Sequence, residues 1–249
     1  MDFDQNPKEG SRNIVRLDEA EDRLSRQQIR EMADIYHLAV EDLDEKKIIH
    51  SKMRDKKILN VFREIRTKLM QKVGGKNFTL LVTSISQGGG ATFVSTNLAA
   101  SFALDHGKTA LMVDCNIYAP SNDQLIDGAD LGFSDYLQDP SISMEEIIYA
   151  TGIPRLRLVP AGSATDLGPE YYTSYRMQQF VEELQGRYAD RYVVIDAPPI
   201  GSTADARILA ELCDFVTIVV PYGMVTSEQV KTAIESVPSD KLVGVIFNN

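Results

Sequence analysis

Apolar and polar positions divide the chain into two patterns that meet near residue 55. From residue 78 onward, short continuous apolar runs alternate with segments of helical spacing. The runs cover 78–85, 109–113, 156–159, 191–195, 215–220 and 242–247. Most are apolar throughout rather than at every second position, which marks strands buried on both faces of a parallel sheet. Helical spacing fills the gaps at 93–105, 175–188, 203–212 and 227–236. This rhythm predicts an α/β fold, a doubly wound and mainly parallel sheet with its ligand site outside the carboxyl ends of the strands.

Residues 1–55 read differently. They are dense in charge, contain no glycine after Gly10, and carry a helical stretch at 17–43 with an irregular apolar stripe of Leu24, Ile29, Met32, Ile35 and Leu38. A cleaner amphipathic helix follows at 55–70, with Ile58, Phe62, Ile65 and Leu69 on one face and Arg63 and Arg66 on its polar flank. The expected organisation is a charged helical arm over 1–55 and one large α/β domain over 56–249.

Charge narrows the function classes. Lys plus Arg total 26 against 36 Asp plus Glu, a net charge of −10, which argues against a general nucleic-acid binder. No apolar run approaches the roughly 20 residues that cross a bilayer, and residues 1–10 are polar and acidic, unlike a signal peptide. A cytoplasmic protein is expected. Cys115 and Cys213 each sit beside a strand-like run without metal-like spacing, and read as buried thiols. His37, His50 and His106 are isolated from one another. The tyrosine cluster Tyr171, Tyr172 and Tyr175 reads as a loop-to-helix junction with its rings packed on the surface, ahead of a phosphorylated segment.

The chemistry concentrates at strand ends. The first run leads into Ser86-Gln87-Gly88-Gly89-Gly90-Ala91-Thr92, and a helix of small residues starts at Phe93. Strand, glycine turn, threonine and helix make the context in which backbone N–H groups cradle phosphates. Three glycines alone equally describe a tight turn. The usual motif places a lysine where this chain has Ala91. Two further strands end in Asp114-Cys115-Asn116 and Asp196-Ala197-Pro198-Pro199. A lone strand-terminal Asp is usually a cap or turn residue. Two of them beside a glycine loop point instead to the metal of magnesium-assisted phosphoryl transfer.

Together these features resemble the bacterial tyrosine kinase family, P-loop proteins of capsule and exopolysaccharide synthesis related to the partition and septum-site ATPases. The resemblance runs over 56–249. Its markers are Asn60-Val61-Phe62-Arg63-Glu64-Ile65-Arg66-Thr67, the loop at 83–97, the second motif at 113–121, Leu158-Val159-Pro160-Ala161-Gly162, and the segments 192–199 and 244–248. It implies ATP or ADP with Mg2+ as ligands. It makes Gly88, Gly89, Gly90, Ala91, Thr92 and Phe93 the phosphate cradle and links Thr92 and Asp196 to magnesium. Asp114 becomes the base or a metal partner, and Asn248 a neighbour of the nucleobase. Asn60, Arg63 and Arg66 would dock on a neighbouring subunit. A membrane chain-length (co-polymerase) protein is the implied partner, recruiting the chain to the inner face of the cell membrane.

Departures from the family pattern matter as much. Ala91 stands for the loop lysine, Asn116 for a second catalytic Asp, Tyr118 for a basic residue and Asn60 for a Glu, and the tyrosine-rich tail is absent from this sequence. Losing one charged contact to phosphate costs about 1.5–3 kcal/mol, or one to two orders of magnitude in affinity. Weak or lost nucleotide binding, impaired phosphoryl transfer and weak self-association are therefore expected. Two alternatives stand beside this reading: an active kinase or ATPase using a lysine from elsewhere, and a partition-type or septum-positioning ATPase.

Overall fold

In the computed structural model, residues 38–74, 77–120, 125–126, 128–186 and 191–249 are described. Seven strands form one sheet: β1 (Thr79–Ser84), β2 (Thr109–Asp114), β3 (Tyr149–Ala150), β4 (Leu156–Val159), β5 (Arg191–Asp196), β6 (Phe215–Pro221) and β7 (Leu242–Asn248), in the order β3-β4-β2-β5-β1-β6-β7. All neighbours are parallel except the two-residue edge pair of β3 with β4. The strands of the centre, β1, β2 and β5, are buried at every position, as their unbroken apolar runs require.

Alternate residues of those strands feed two separate cores. Leu80, Val82, Met112 and Val194 face one layer, and Leu81, Leu111, Val193 and Ile195 face the other. The first layer holds α1 (Val40–Glu45), α2 (Lys56–Val73) and α3 (Ala91–Ala103). The second holds α4 (Phe133–Gln138), α5 (Gly168–Tyr172), α6 (Tyr175–Gly186), α7 (Asp205–Leu212) and α8 (Ser227–Glu235).

The change of sequence character at residue 55 is not a change of packing. Leu43, Ile48, Ile49 and Met53 all lie in the first core, and the Ile49 N–H donates to Asn97 Oδ1 on α3 at 2.8 Å. Burial of a side chain such as Ile49 contributes about 1.5–3 kcal/mol, so residues 38–55 belong to the α/β body rather than to an arm. The remainder of the expected arm, with Leu24, Ile29, Met32 and Ile35, lies outside the described residues.

α3 positions the site. Its small residues let it lie flush against the sheet, with Leu98, Ala99 and Phe102 fully buried. Asp55 caps α2 by accepting from the Lys57 N–H, and Phe62 of α2 meets Phe93 of α3 edge-on at 6.0 Å. The carboxyl end of α3 is tied by two arginines. Arg66 Nη1 donates to the Ser101 carbonyl at 2.6 Å, and Arg155 donates to the Ala103 carbonyl from Nε at 3.0 Å and Nη2 at 2.7 Å. Cations at this end complement the helix dipole. No helix among the described residues is long and apolar enough to cross a membrane.

Candidate phosphate-loop site

β1 ends at Ser84, and the chain turns through the glycines into α3 at Ala91. Gly88 and Gly90 adopt left-handed backbone, φ +71° and +88°, which a residue with a Cβ adopts only under strain. A Cβ at Gly90 would also stand 2.2 Å from Asn248 Nδ2. The loop backbone therefore needs its glycines where they are. Gly90, the residue before α3, offers no side chain to cap the helix. The first turn thus presents its N–H groups toward the loop, as an anion site does.

A cavity of about 480 Å3 opens here, lined by the loop Gln87–Thr92 and by Asn116, Tyr118, Pro198, Pro199, Ser202 and Thr203. Of the expected residues, Gly88, Gly89, Gly90, Ala91, Thr92 and Asn116 line it. Phe93 is turned away toward Phe62. Asn248 does not line the cavity; its amide donates to the Gly89 carbonyl at 3.3 Å.

Asp114 and Asp196 are paired neighbours across β2 and β5. Both lie beneath the cavity wall, at 0% and 1% exposure. Asp114 Oδ1 accepts from the Asn116 N–H at 2.9 Å, and Asp196 Oδ1 accepts from Ser95 Oγ at 2.9 Å. Ser95 went unnoticed in the sequence; it lies one helical turn beyond the loop, and that spacing is the signal for it. Among the described residues, no cluster of three or more His, Cys, Asp or Glu side chains forms a metal cage. Thr92 on the wall with these carboxylates behind it fits a magnesium carried in by a nucleotide, which keeps much of its own water. When bound, that ion would offset phosphate charge.

No lysine or arginine appears among the described residues that line the cavity. Ala91 is 8% exposed and packs into the first core. Lys108 stands over the Tyr192 ring at 5.6 Å, at the start of β5 and so away from its carboxyl end. Of the residues expected to dock on a neighbouring subunit, Asn60 and Arg63 are exposed on α2. Arg66 instead holds the Ser101 carbonyl of its own chain.

Behind the second strand end, burial dominates. The Cys115 thiol is pushed well up by desolvation and then by Asp114, and Cys213 is pushed up to about 12 by burial. Both are inert thiols in the fold. Tyr172, expected on the surface, is 1% exposed and donates its hydroxyl to the Cys115 carbonyl at 2.6 Å. Of that cluster Tyr175 does lie outside, at 73% exposure.

Comparison with known proteins now decides the family. The chain is 32% identical over 205 residues to the tyrosine-protein kinase CpsD of Streptococcus agalactiae, covering 81% of this chain and 88% of that relative. The chain belongs to the bacterial tyrosine kinase family. The kinase domain of the Escherichia coli tyrosine kinase ETK shares the fold, with a TM-score of 0.72 and 21% identity over 86% of this chain and 88% of that one. The cell division ATPase MinD of Pyrococcus furiosus shares it more distantly, with a TM-score of 0.55 and 18% identity over 68% and 70%. No protein-family model matches the chain. The glycine loop and the two Asp-terminated strands lie within the fold shared with these relatives.

Proposed function

We propose that the chain is a nucleotide-binding member of the tyrosine kinase family whose phosphoryl transfer is impaired or lost. It acts beside a membrane chain-length (co-polymerase) protein in capsule or exopolysaccharide synthesis, at the inner face of the membrane. The observation that carries this reading is the phosphate cavity itself: its backbone cradle is intact, and Ala91 stands where a cation would reach the phosphates. Backbone N–H groups and a helix N-terminus suffice to hold an anion weakly. Transfer demands more, because charge on the migrating group must be offset in the transition state. Neither Ala91 nor the amide of Asn116 supplies what a lysine and a carboxylate would.

Thr92 and Asp196 are assigned to the magnesium of the bound nucleotide, and Gly88 to Thr92 to its phosphates. With Arg66 committed to the Ser101 carbonyl of α3 in its own chain, only Arg63 of the α2 pair faces outward. Exposed ion pairs contribute about 0–1 kcal/mol each, so self-association through this helix is weak and salt-sensitive.

A magnesium-ATP binding titration run beside a turnover assay tests the reading. Weak binding with no phosphate release and no phosphotyrosine is expected. Label from γ-labelled ATP appearing on tyrosine, and vanishing in Asp196→Ala, would overturn it and reveal a cation supplied from elsewhere.

A further inference from the structure

The wall facing the glycine loop has a particular build. Tyr118 lines the cavity beside Asn116, and its hydroxyl packs over the start of α5. A Cβ at Gly168 would stand 2.0 Å from Tyr118 Oη and 3.3 Å from Asp205 Oδ1. Asp205, the first residue of α7, is fully buried. Neither of its carboxylate oxygens has a hydrogen bond of ordinary geometry within the protein. The phenol leans on that carboxylate: burial first, then Asp205, and then Asp166 and Glu170 push Tyr118 up to about 12. Tyr118 is therefore neutral at physiological pH, with acidic groups behind and around it.

The terminal phosphate of a nucleotide in a glycine loop is the one that the loop lysine reaches and that the attacking group faces. In this chain Ala91, the position of the loop lysine, lines the cavity together with Asn116 and Tyr118. No lysine or arginine lines the cavity among the described residues, and buried Asp114 and Asp205 adjoin its lining residues Asn116 and Tyr118. Each added phosphate brings further negative charge into this field, and in a partly buried site such repulsion is only partly screened.

We propose that the cavity prefers a nucleoside diphosphate to the corresponding triphosphate, and that Tyr118, backed by Asp205, is the residue that sets the preference. The inference rests on the reading that the cavity takes a nucleotide at all. Tyr118 acts by what it replaces, a neutral ring where a basic side chain would meet the terminal phosphate. Asp205 acts through Tyr118 as a positioning residue.

Calorimetric titration of the full chain with magnesium-ADP and magnesium-ATP tests this. ADP should bind about tenfold tighter than ATP, the worth of one poorly screened charge. Tyr118→Arg should tighten ATP by about tenfold and ADP by clearly less, the differential effect of a charged phosphate contact. Asp205→Asn should narrow the gap between the two ligands. Equal or tighter binding of ATP by the natural chain overturns the inference and leaves the nucleotide reading standing. So does a Tyr118→Arg chain that gains equally for both. Binding of neither ligand, at any accessible concentration, overturns the nucleotide reading and this inference with it.

Discussion

At its carboxyl end α3 gives its last carbonyls to two guanidinium groups, Arg66 on Ser101 and Arg155 on Ala103. At its amino end, Ala91, the same helix meets a cavity whose described lining holds neither lysine nor arginine. One end is fastened for the fold; the other is shaped for an anion that the fold does not need. The difference separates what holds the phosphate loop in place from what would make it catalyse. The loop is kept by glycine backbone, by the Asn248 amide on Gly89 and by the core beneath α3. None of these depends on a lysine at position 91.

The comparison is broken most strongly at the fastened end. Arg155→Ala removes two charge-assisted bonds to one carbonyl. It should cost about 1.5–3 kcal/mol of stability, read as a lower urea midpoint with an unchanged slope. Arg66→Ala, with a single bond, should cost less by the same measurement, and additivity of the two would show that each holds its own carbonyl. An Arg66→Ala chain of full stability but altered self-association would return Arg66 to the interface. Smaller again is Tyr172→Phe, which deletes the hydroxyl donated to Cys115. About 1 kcal/mol of stability is expected to go with it, with nucleotide affinity left within about twofold. The smallest effect belongs to the exposed Glu64–Lys68 pair on α2, 2.7 Å apart with both side chains well exposed. Lys68→Ala should leave the urea midpoint unchanged within error.

How much of this was legible in the sequence follows from what each pattern measures. Continuous apolar runs report burial on two faces, and the expected strand at 156–159 matches β4 residue for residue. The other long strands differ from expectation by a residue or two at their ends. The short elements were not visible. α4, α5 and β3 run for only six, five and two residues, too short to show a period, whereas α1 overlaps the expected helical stretch at 17–43 only over 40–43. The charge of residues 38–55 hid four core positions, because a few apolar side chains anchor a segment that is otherwise polar.

At the site, the glycine loop was legible because glycine is demanded by backbone geometry, and backbone geometry is local. The roles of Asn248 and Arg66 were not, because each depends on a partner far away in sequence, Gly89 and Ser101. Tyr172 was misplaced for the same reason: its hydroxyl finds the Cys115 carbonyl, 57 residues away. Asp205 gave no sign, since a helix-initial Asp is ordinarily an exposed first-turn residue. Burial against Tyr118 is what makes it unusual.

The central claim is that the cradle is intact and the charge is missing. Ala91→Lys tests it most directly, with magnesium-ADP affinity measured by calorimetry in the natural chain and the variant under the same salt. The account predicts a gain of about ten- to a hundredfold, the worth of one charged phosphate contact. An unchanged affinity would contradict it, because the glycine turn would then not be a phosphate cradle.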